Sequence, residues 1–224
     1  MKLTLLCNAG LALETEGAMV LVDVPNGQQP PFYTIPDALW QQIFDRIPPY
    51  DRVCGLWITH DHPDHCHRQK LMAYHARWPQ VPVFLPDYFP ATGKVHMGPF
   101  VMQYRRVDHA PIVDPPVHVV TLVQVGERTI YLPADAALDP QPHREFLQGR
   151  VCDAAVWNSM YLSRPENRQL LRETAKRNFI YHMPEEKPDS WGLWKKLAHN
   201  LQRYGPELQS VTVLDQYPST VELT

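Results

Sequence analysis

The most constraining feature of this chain is a stretch of three histidines and two aspartates that directly follows a short apolar segment. The apolar segment, 53–58, predicts a buried strand, and the stretch THDHPDH occupies 59–65. Neutral imidazole and carboxylate are preferred protein ligands of zinc and related divalent metals. In extended backbone His60 and His62 point the same way, and the last two residues follow in a turn toward a second point. The stretch therefore predicts a metal site at a strand end.

Other apolar strands also end on a residue that can bind metal. His109 follows the strand predicted at 100–107, Asp135 follows 128–132, and His182 follows 179–181. Open α/β sheets carry their ligands at the carboxyl ends of strands. Four such endings in one chain predict that these side chains converge on one edge of the fold.

The periodicity of apolar residues predicts an α/β protein. Strands are predicted at 3–6, 12–15, 19–24, 53–58, 81–85, 100–107, 119–125, 128–132, 154–157, 179–181, 211–214 and 220–223. Helices are predicted at 36–47, 67–77, 164–177 and 190–204. Turns at 16–17 and 126–127 predict two hairpins, and the pattern Ser163-Arg164-Pro165-Glu166 predicts a capping box for the third helix.

Composition and charge narrow the range of partners. The 224 residues carry a net charge of −3 and no long basic run, so a long nucleic acid is not expected as a partner. No apolar run approaches 18 residues, which predicts no membrane span, and the N-terminal run reads as a strand instead of a signal peptide. Four scattered cysteines are typical of a reducing compartment, and we expect a cytoplasmic protein. A small-molecule substrate, including an anionic one, is compatible with these features, and a homodimer is left open.

Together these residues resemble the metallo-β-lactamase superfamily, over nearly the whole chain. The resemblance implies one domain over 1–224, built as a four-layer αββα sandwich of two mixed β-sheets flanked by helices. It also implies two divalent metal ions, with zinc expected first and Mn²⁺ or Fe²⁺ as alternatives. By this resemblance the first ion is bound by His60, His62 and His109, the second by Asp64, His65 and His182, and both by Asp135.

Several assignments stay open at this stage. His118 competes with His109 for the first ion, and His109 is preferred because it follows a strand. His143 and His199 are weaker rivals of His182. The roles of Cys66 and His67, which extend the motif where the family usually continues into glycine, are undetermined. Asp23 and Asp61 are candidates to accept a hydrogen bond from the imidazole nitrogen that does not bind the metal.

The ligand set predicts a dinuclear metal-dependent hydrolase that uses a metal-bridging hydroxide, with Asp64 orienting the water or accepting its proton. The compact chain is most similar to small phosphodiesterase-like members, so a small phosphodiester is the leading substrate hypothesis. A lactonase or thioester hydrolase is the alternative. A redox di-iron protein and a non-catalytic metal-binding protein are less favoured, since His62 stands where redox relatives typically carry Glu.

Overall fold

The computed structural model describes residues 1–185, 189–208 and 210–223. Its strands, in chain order, are β1 (Lys2–Cys7), β2 (Gly10–Thr15), β3 (Ala18–Val22), β4 (Val53–Trp57), β5 (Val83–Phe84), β6 (Thr92–Met97), β7 (Phe100–Arg106), β8 (Val119–Val125), β9 (Arg128–Ala134), β10 (Cys152–Asn158), β11 (Ala175–Tyr181), β12 (Val211–Val213) and β13 (Ser219–Glu222). Its α-helices are α1 (Asp37–Phe44), α2 (Arg68–Arg77), α3 (Pro140–Leu147), α4 (Pro165–Thr174) and α5 (Leu193–Tyr204). None of these helices has the length and apolar character that crossing a membrane requires.

The strands form two mixed sheets. One sheet has the order β13-β1-β2-β3-β4-β5 and the other the order β12-β11-β10-β9-β8-β7-β6. In each sheet the hairpin strands pair antiparallel, and the strands reached through helices pair parallel. Apolar residues of α1 and α2 pack on the outer face of the first sheet, and those of α4 and α5 on the outer face of the second. The predicted αββα sandwich is therefore confirmed.

The inner faces of the two sheets enclose the central core and are tied together beside the histidine-rich loop. Trp57 at the end of β4 stacks on Phe84 at a ring separation of 3.6 Å, and its Nε1 donates to Thr121 Oγ1 in β8 at 2.9 Å. The backbone N–H of Val119 donates to the carbonyl of Thr59 at 3.0 Å. The loop that begins at Thr59 thus leaves the first sheet already bonded to the second.

The helix predicted at about 164–177 begins as expected but ends three residues early. α4 stops at Thr174, because Ala175 begins β11 and pairs in parallel with Cys152 of β10. Sheet pairing overrides the helical pattern at these last residues. The predicted capping box is also wrong, since the Ser163 hydroxyl donates to the carbonyl of Met160 at 2.6 Å and does not cap the helix.

Two elements were not predicted. β6, with the sequence TGKVHM, alternates between exposed and half-buried residues up to its buried last residue. This sequence does not predict a strand, and β6 is held extended by its antiparallel pairing with β7. α3 carries two prolines, which mask its periodicity, and Asp139 caps it by accepting the N–H of Gln141 at 3.0 Å. Both elements depend on neighbours that are distant in sequence or on a cap.

His143 of α3 is buried in a hydrogen-bonded chain that reaches the site. Its Nδ1 accepts the hydroxyl of Tyr131, and its Nε2 lies 3.1 Å from the hydroxyl of Tyr161. Tyr161 in turn donates to the carbonyl of Ala136 at 3.1 Å, next to Asp135. Both ring nitrogens are thus satisfied in the neutral form, and burial lowers the pKa of His143 to about 4. His143 is therefore structural and supports the segment that carries Asp135.

We predict that His143 makes folding stability fall with acid. Between about pH 6.5 and pH 4, His143 is protonated in the unfolded chain but stays neutral in the folded chain. The free energy of unfolding therefore decreases as pH falls, by at most about 1.4 kcal/mol per pH unit. His143→Gln keeps an acceptor and a donor but cannot titrate. Denaturant unfolding of both proteins at pH 7, 6, 5 and 4.5 should show a shallower pH slope for the variant, and parallel slopes would contradict the assignment.

Candidate metal centre

A buried carboxylate fixes the start of the histidine-rich loop. Asp23, which follows β3, accepts the Thr59 N–H at 2.7 Å and the Thr59 hydroxyl at 2.8 Å. It also accepts Nδ1–H of His65 at 2.9 Å. Asp23 has a positive φ of 54°, a conformation that non-glycine residues seldom adopt without a constraint. One side chain therefore sets the path of the loop and the orientation of one imidazole.

Three histidines form a first group of candidate ligands, which we call the His60 group: His60, His62 and His109. Their nearest ring nitrogens lie within 4.8 Å of one another. His109 Nδ1 donates to the carbonyl of Ala110 at 2.7 Å, and His60 Nδ1 donates to Thr59 Oγ1 at 3.0 Å. These bonds assign the lone pair to Nε2 of both rings, and both Nε2 atoms are buried without a partner among the described residues. Orphaned, converging acceptors of this kind fit a cation.

The second group, the His182 group, consists of Asp64, His65 and His182. His182 Nε2 lies 3.0 Å from Asp64 Oδ2 and 3.0 Å from His65 Nε2. Because Nδ1 of His65 is committed to Asp23, its Nε2 carries a lone pair that faces the other acceptors unless it gains a proton. Hydrogen-bond acceptor atoms this close together are stable only when a proton or a cation lies between them.

Asp135 lies between the two groups. Its Oδ2 is 3.3 Å from His65 Nε2 and 3.5 Å from His182 Nε2, and it also forms a compact set with His60 and His65. Asn158 at the end of β10 donates to its other oxygen at 2.9 Å. Asp135 is therefore the carboxylate that lies within reach of both groups. The preceding Ala134 has a φ of 49°, so the backbone is turned sharply to deliver Asp135.

Burial and neighbouring charges shift the pKa values of these groups in opposite directions. Burial, followed by the neighbouring His65 and His118, lowers the pKa of His60 well below its usual range. Burial also disfavours a charged His65, but the carboxylates of Asp64, Asp135 and Asp23 outweigh it and raise the pKa well above the usual range. A proton on His65 would supply positive charge to balance these carboxylates. A divalent cation fits the same electrostatic need.

The structure brings all seven predicted site residues together. His118 is buried with its ring 5.0 Å from that of His60, yet it belongs to none of the three close groups among the described residues. His199 is exposed on α5. His67 caps α2, with Nδ1 accepting the N–H of Lys70 at 3.4 Å, and burial raises the pKa of the Cys66 thiol. Metal binding by the seven residues stays a prediction.

Sequence reasoning missed two asparagines at the site. Asn8 follows β1, and its Nδ2 donates to Asp64 Oδ2 at 3.2 Å and lies 3.4 Å from His182 Nε2. Asn158 ends β10 and holds Asp135. Both residues end a strand, which is the signal that identified the histidines. Searching strand ends for amide side chains as well as for metal ligands would have identified both asparagines.

The candidate ligands line one side of a cavity of about 380 Å³. His62, Asp64, His109, Asp135 and His182 all face it. Its size lies in the lower part of the range of roughly 300–1,000 Å³ that is usual for small-molecule sites. Its remaining wall is largely apolar and is formed by Phe32, Pro111, Ile112, Met160, Trp191 and Leu193. A small molecule in this cavity would therefore contact the candidate ligands and the apolar wall together.

We predict that Asp23, and not Asp61, supports metal binding. Asp23→Asn removes the charge behind His65 and should weaken metal affinity about 10- to 100-fold. Asp61→Asn is the matched control, because the Asp61 carboxylate pairs with Arg68 at the surface of the same loop. Competition with a chromophoric chelator measures both affinities. Equal affinities for the two variants would contradict the role of Asp23.

Comparisons with known proteins bear on the fold. Neither protein-family models nor curated proteins give a match to the sequence. Among solved structures, an isothiocyanate hydrolase from Delia radicum gut bacteria has 14% identity and a TM-score of 0.64, with 99% of each chain covered. The metallo-β-lactamase fold protein YhfI from Bacillus subtilis has 13% identity and a TM-score of 0.66, again with 99% of each chain covered.

A third similar structure is larger than this chain. CmlA, a diiron β-hydroxylase from Streptomyces venezuelae, has 14% identity and a TM-score of 0.66, and the alignment covers 99% of this chain but 54% of CmlA. The chain thus spans about half the length of that protein. At these identities the likeness shows the fold alone, and the two-sheet sandwich agrees with it. The protein adopts the metallo-β-lactamase fold, as the resemblance of its ligand motif predicts.

Proposed function

We propose that this protein is a dinuclear metal-dependent hydrolase of a small ester. The observation that carries the proposal is the convergence of five histidines and two aspartates. They form the His60 group, the His182 group and Asp135 between them, and five of the seven side chains line one cavity. The His60 group would hold one ion, the His182 group the other, and Asp135 both. This donor set of imidazoles and carboxylates suits Zn²⁺ first, with Mn²⁺ or Fe²⁺ as alternatives.

When bound, two such ions would supply a nucleophile from water at neutral pH and a Lewis acid for the electrophile. The chain's own residues then provide position and proton transfer. Asp64 is buried, and while its Oδ2 contacts Asn8 and His182, its Oδ1 has no partner among the described residues. Oδ1 is therefore the atom available to orient a water molecule or to accept its proton. Asn158 and Asp23 keep Asp135 and His65 in place during the reaction.

Two substrate classes suit this chemistry. A small phosphodiester is the hypothesis that the sequence favours, and a lactone or thioester is the alternative. The apolar wall of the cavity supports the alternative, because uncharged esters are recognised largely through apolar contact. The isothiocyanate hydrolase of the same fold is named for an uncharged substrate, which gives a further compound class to include in a screen.

We expect purified protein reconstituted with Zn²⁺ to contain close to two ions per chain. Asp64→Ala should lose one ion together with at least a hundredfold of activity, since it removes both a ligand of the His182 group and the proton acceptor. Asp61→Ala, three residues earlier in the same loop, should keep both ions. Elemental analysis after gel filtration measures the content, and full content with unchanged turnover in Asp64→Ala would overturn the mechanism.

A screen of metal-loaded protein against bis-aryl phosphates, aryl esters, lactones, thioesters and aryl isothiocyanates should reveal hydrolysis. Chelation should abolish the activity and added Zn²⁺ should restore it, because the nucleophile depends on the ions. Stoichiometric metal binding with no turnover of any class would instead support the non-catalytic alternative. Metal-dependent oxygen consumption in place of hydrolysis would support the redox alternative.

A further inference from the structure

The apolar wall of the cavity is unusually exposed. Of eight large hydrophobic side chains that are exposed in the described part of the chain, three line this cavity: Trp191 at 50%, Ile112 at 44% and Met160 at 38%. A fourth, Val113, directly follows Ile112 and is 88% exposed. Exposed apolar residues are ordinary when scattered, but clustering around the mouth of a functional cavity marks a binding surface. A ligand that occupies the cavity would bury these side chains.

Ring contacts connect the apolar wall to the candidate ligands. The Phe32 ring meets the His182 imidazole edge-on at 4.5 Å and the Trp191 ring edge-on at 5.2 Å. Asp189 accepts the N–H groups of Leu193 and Trp194, which fixes the start of α5 directly after Trp191. The apolar surface on this side is therefore preformed against a residue of the His182 group.

The opposite side is tied to Asp135. The side-chain oxygen of Asn158 accepts the N–H of Met160 at 3.1 Å, while its Nδ2 donates to Asp135 at 2.9 Å. The Asn158 amide thus sets the distance between the Asp135 carboxylate and Met160. A reacting group near Asp135 would place its substituent next to Met160.

The charges of the cavity disfavour an anionic substituent. Among the described residues that line it, none is lysine or arginine, and the neutral polar ones are Gln29 and Asn158. Asp64 and Asp135 place carboxylates on the same lining. An anionic group that lies against the wall would lose hydration without meeting a lysine or arginine among the described lining residues, which is costly. An uncharged apolar group loses little and gains contact.

We propose that the substrate is an uncharged carboxylic ester or thioester whose apolar acyl or aryl group packs between Phe32 and Trp191 on one side and Ile112 and Met160 on the other. This inference rests on the proposed function and names, within it, the substrate class that the apolar wall favours. In the hydrolysis, a water oxygen bonds to the carbonyl carbon and the bond from that carbon to the leaving oxygen or sulfur breaks. One water proton passes to the leaving group, so that an acid and an alcohol or thiol are released.

The binding test uses metal-free and Zn²⁺-loaded protein with two probes that carry one phenyl ring each. 4-Phenyl-2-butanone is an uncharged, non-hydrolysable ester analogue, and phenyl methyl phosphate is an anionic phosphodiester. Calorimetry should show that the metal-free protein binds the ketone at least tenfold more tightly than the phosphate. Trp191→Ala should weaken ketone binding about tenfold and Met160→Ala about threefold, since each removes part of the apolar contact.

Met72→Ala is the matched control for Met160→Ala, because Met72 is 52% exposed on α2 and does not line the cavity. Its ketone affinity should stay within twofold of wild type. Circular dichroism and thermal unfolding establish that each variant is folded. Ketone binding that is absent, or that is insensitive to both Trp191→Ala and Met160→Ala, would overturn the assignment of the wall.

The kinetic test measures kcat/KM for p-nitrophenyl acetate, propionate, butyrate and hexanoate with Zn²⁺-loaded protein. In wild type kcat/KM should rise about threefold for each methylene added to the acyl chain, and in Trp191→Ala it should be nearly independent of chain length. No dependence on chain length in wild type, or faster turnover of bis-p-nitrophenyl phosphate than of the esters, would overturn the proposal while leaving the hydrolase intact. Ketone binding that depends on Trp191 without turnover of any ester would support the wall but defeat the proposed hydrolase.

Discussion

The carboxylate of Asp23 is the interaction on which the rest of the site depends. It is fully buried and accepts hydrogen bonds from the Thr59 N–H, the Thr59 hydroxyl and the His65 imidazole. Thr59 in turn holds Nδ1 of His60 and accepts the backbone N–H of Val119 from the second sheet. A single side chain thereby orients one histidine of each candidate ion site and joins the loop to both sheets. Removing the carboxyl group would leave three buried donors without an acceptor.

Backbone strain is concentrated where the strands deliver their ligands. Asp23, Ala134 and His182 all have positive φ, at 54°, 49° and 60°, and each lies at the end of a strand. Such conformations cost on the order of 1–3 kcal/mol each for non-glycine residues. The apolar core between the sheets provides the rigidity that holds these turns. Strand ends that would otherwise diverge are thereby bent toward one point, which is a common price of preorganising a site.

The cavity places two different environments side by side. Its polar side crowds acceptor atoms that fit cations, and its other side exposes aromatic and aliphatic carbon to solvent. Asn158 and Phe32 connect the two sides, one by hydrogen bonds to Asp135 and Met160 and the other by ring contacts to His182 and Trp191. The chemistry of the reacting atoms and the recognition of the rest of the substrate are therefore set by the same scaffold.

The sequence by itself determined the fold class, the seven candidate ligands and the rule that they follow strand ends, because periodicity and ligand chemistry are properties of short segments. Only the tertiary structure placed His109 rather than His118 with His60 and His62, and Asp23 rather than Asp61 behind the imidazoles. It also ended α4 at Thr174 and assembled the apolar wall. These outcomes depend on contacts such as that of Phe32 with Trp191, which join segments more than 150 residues apart and leave no local signal.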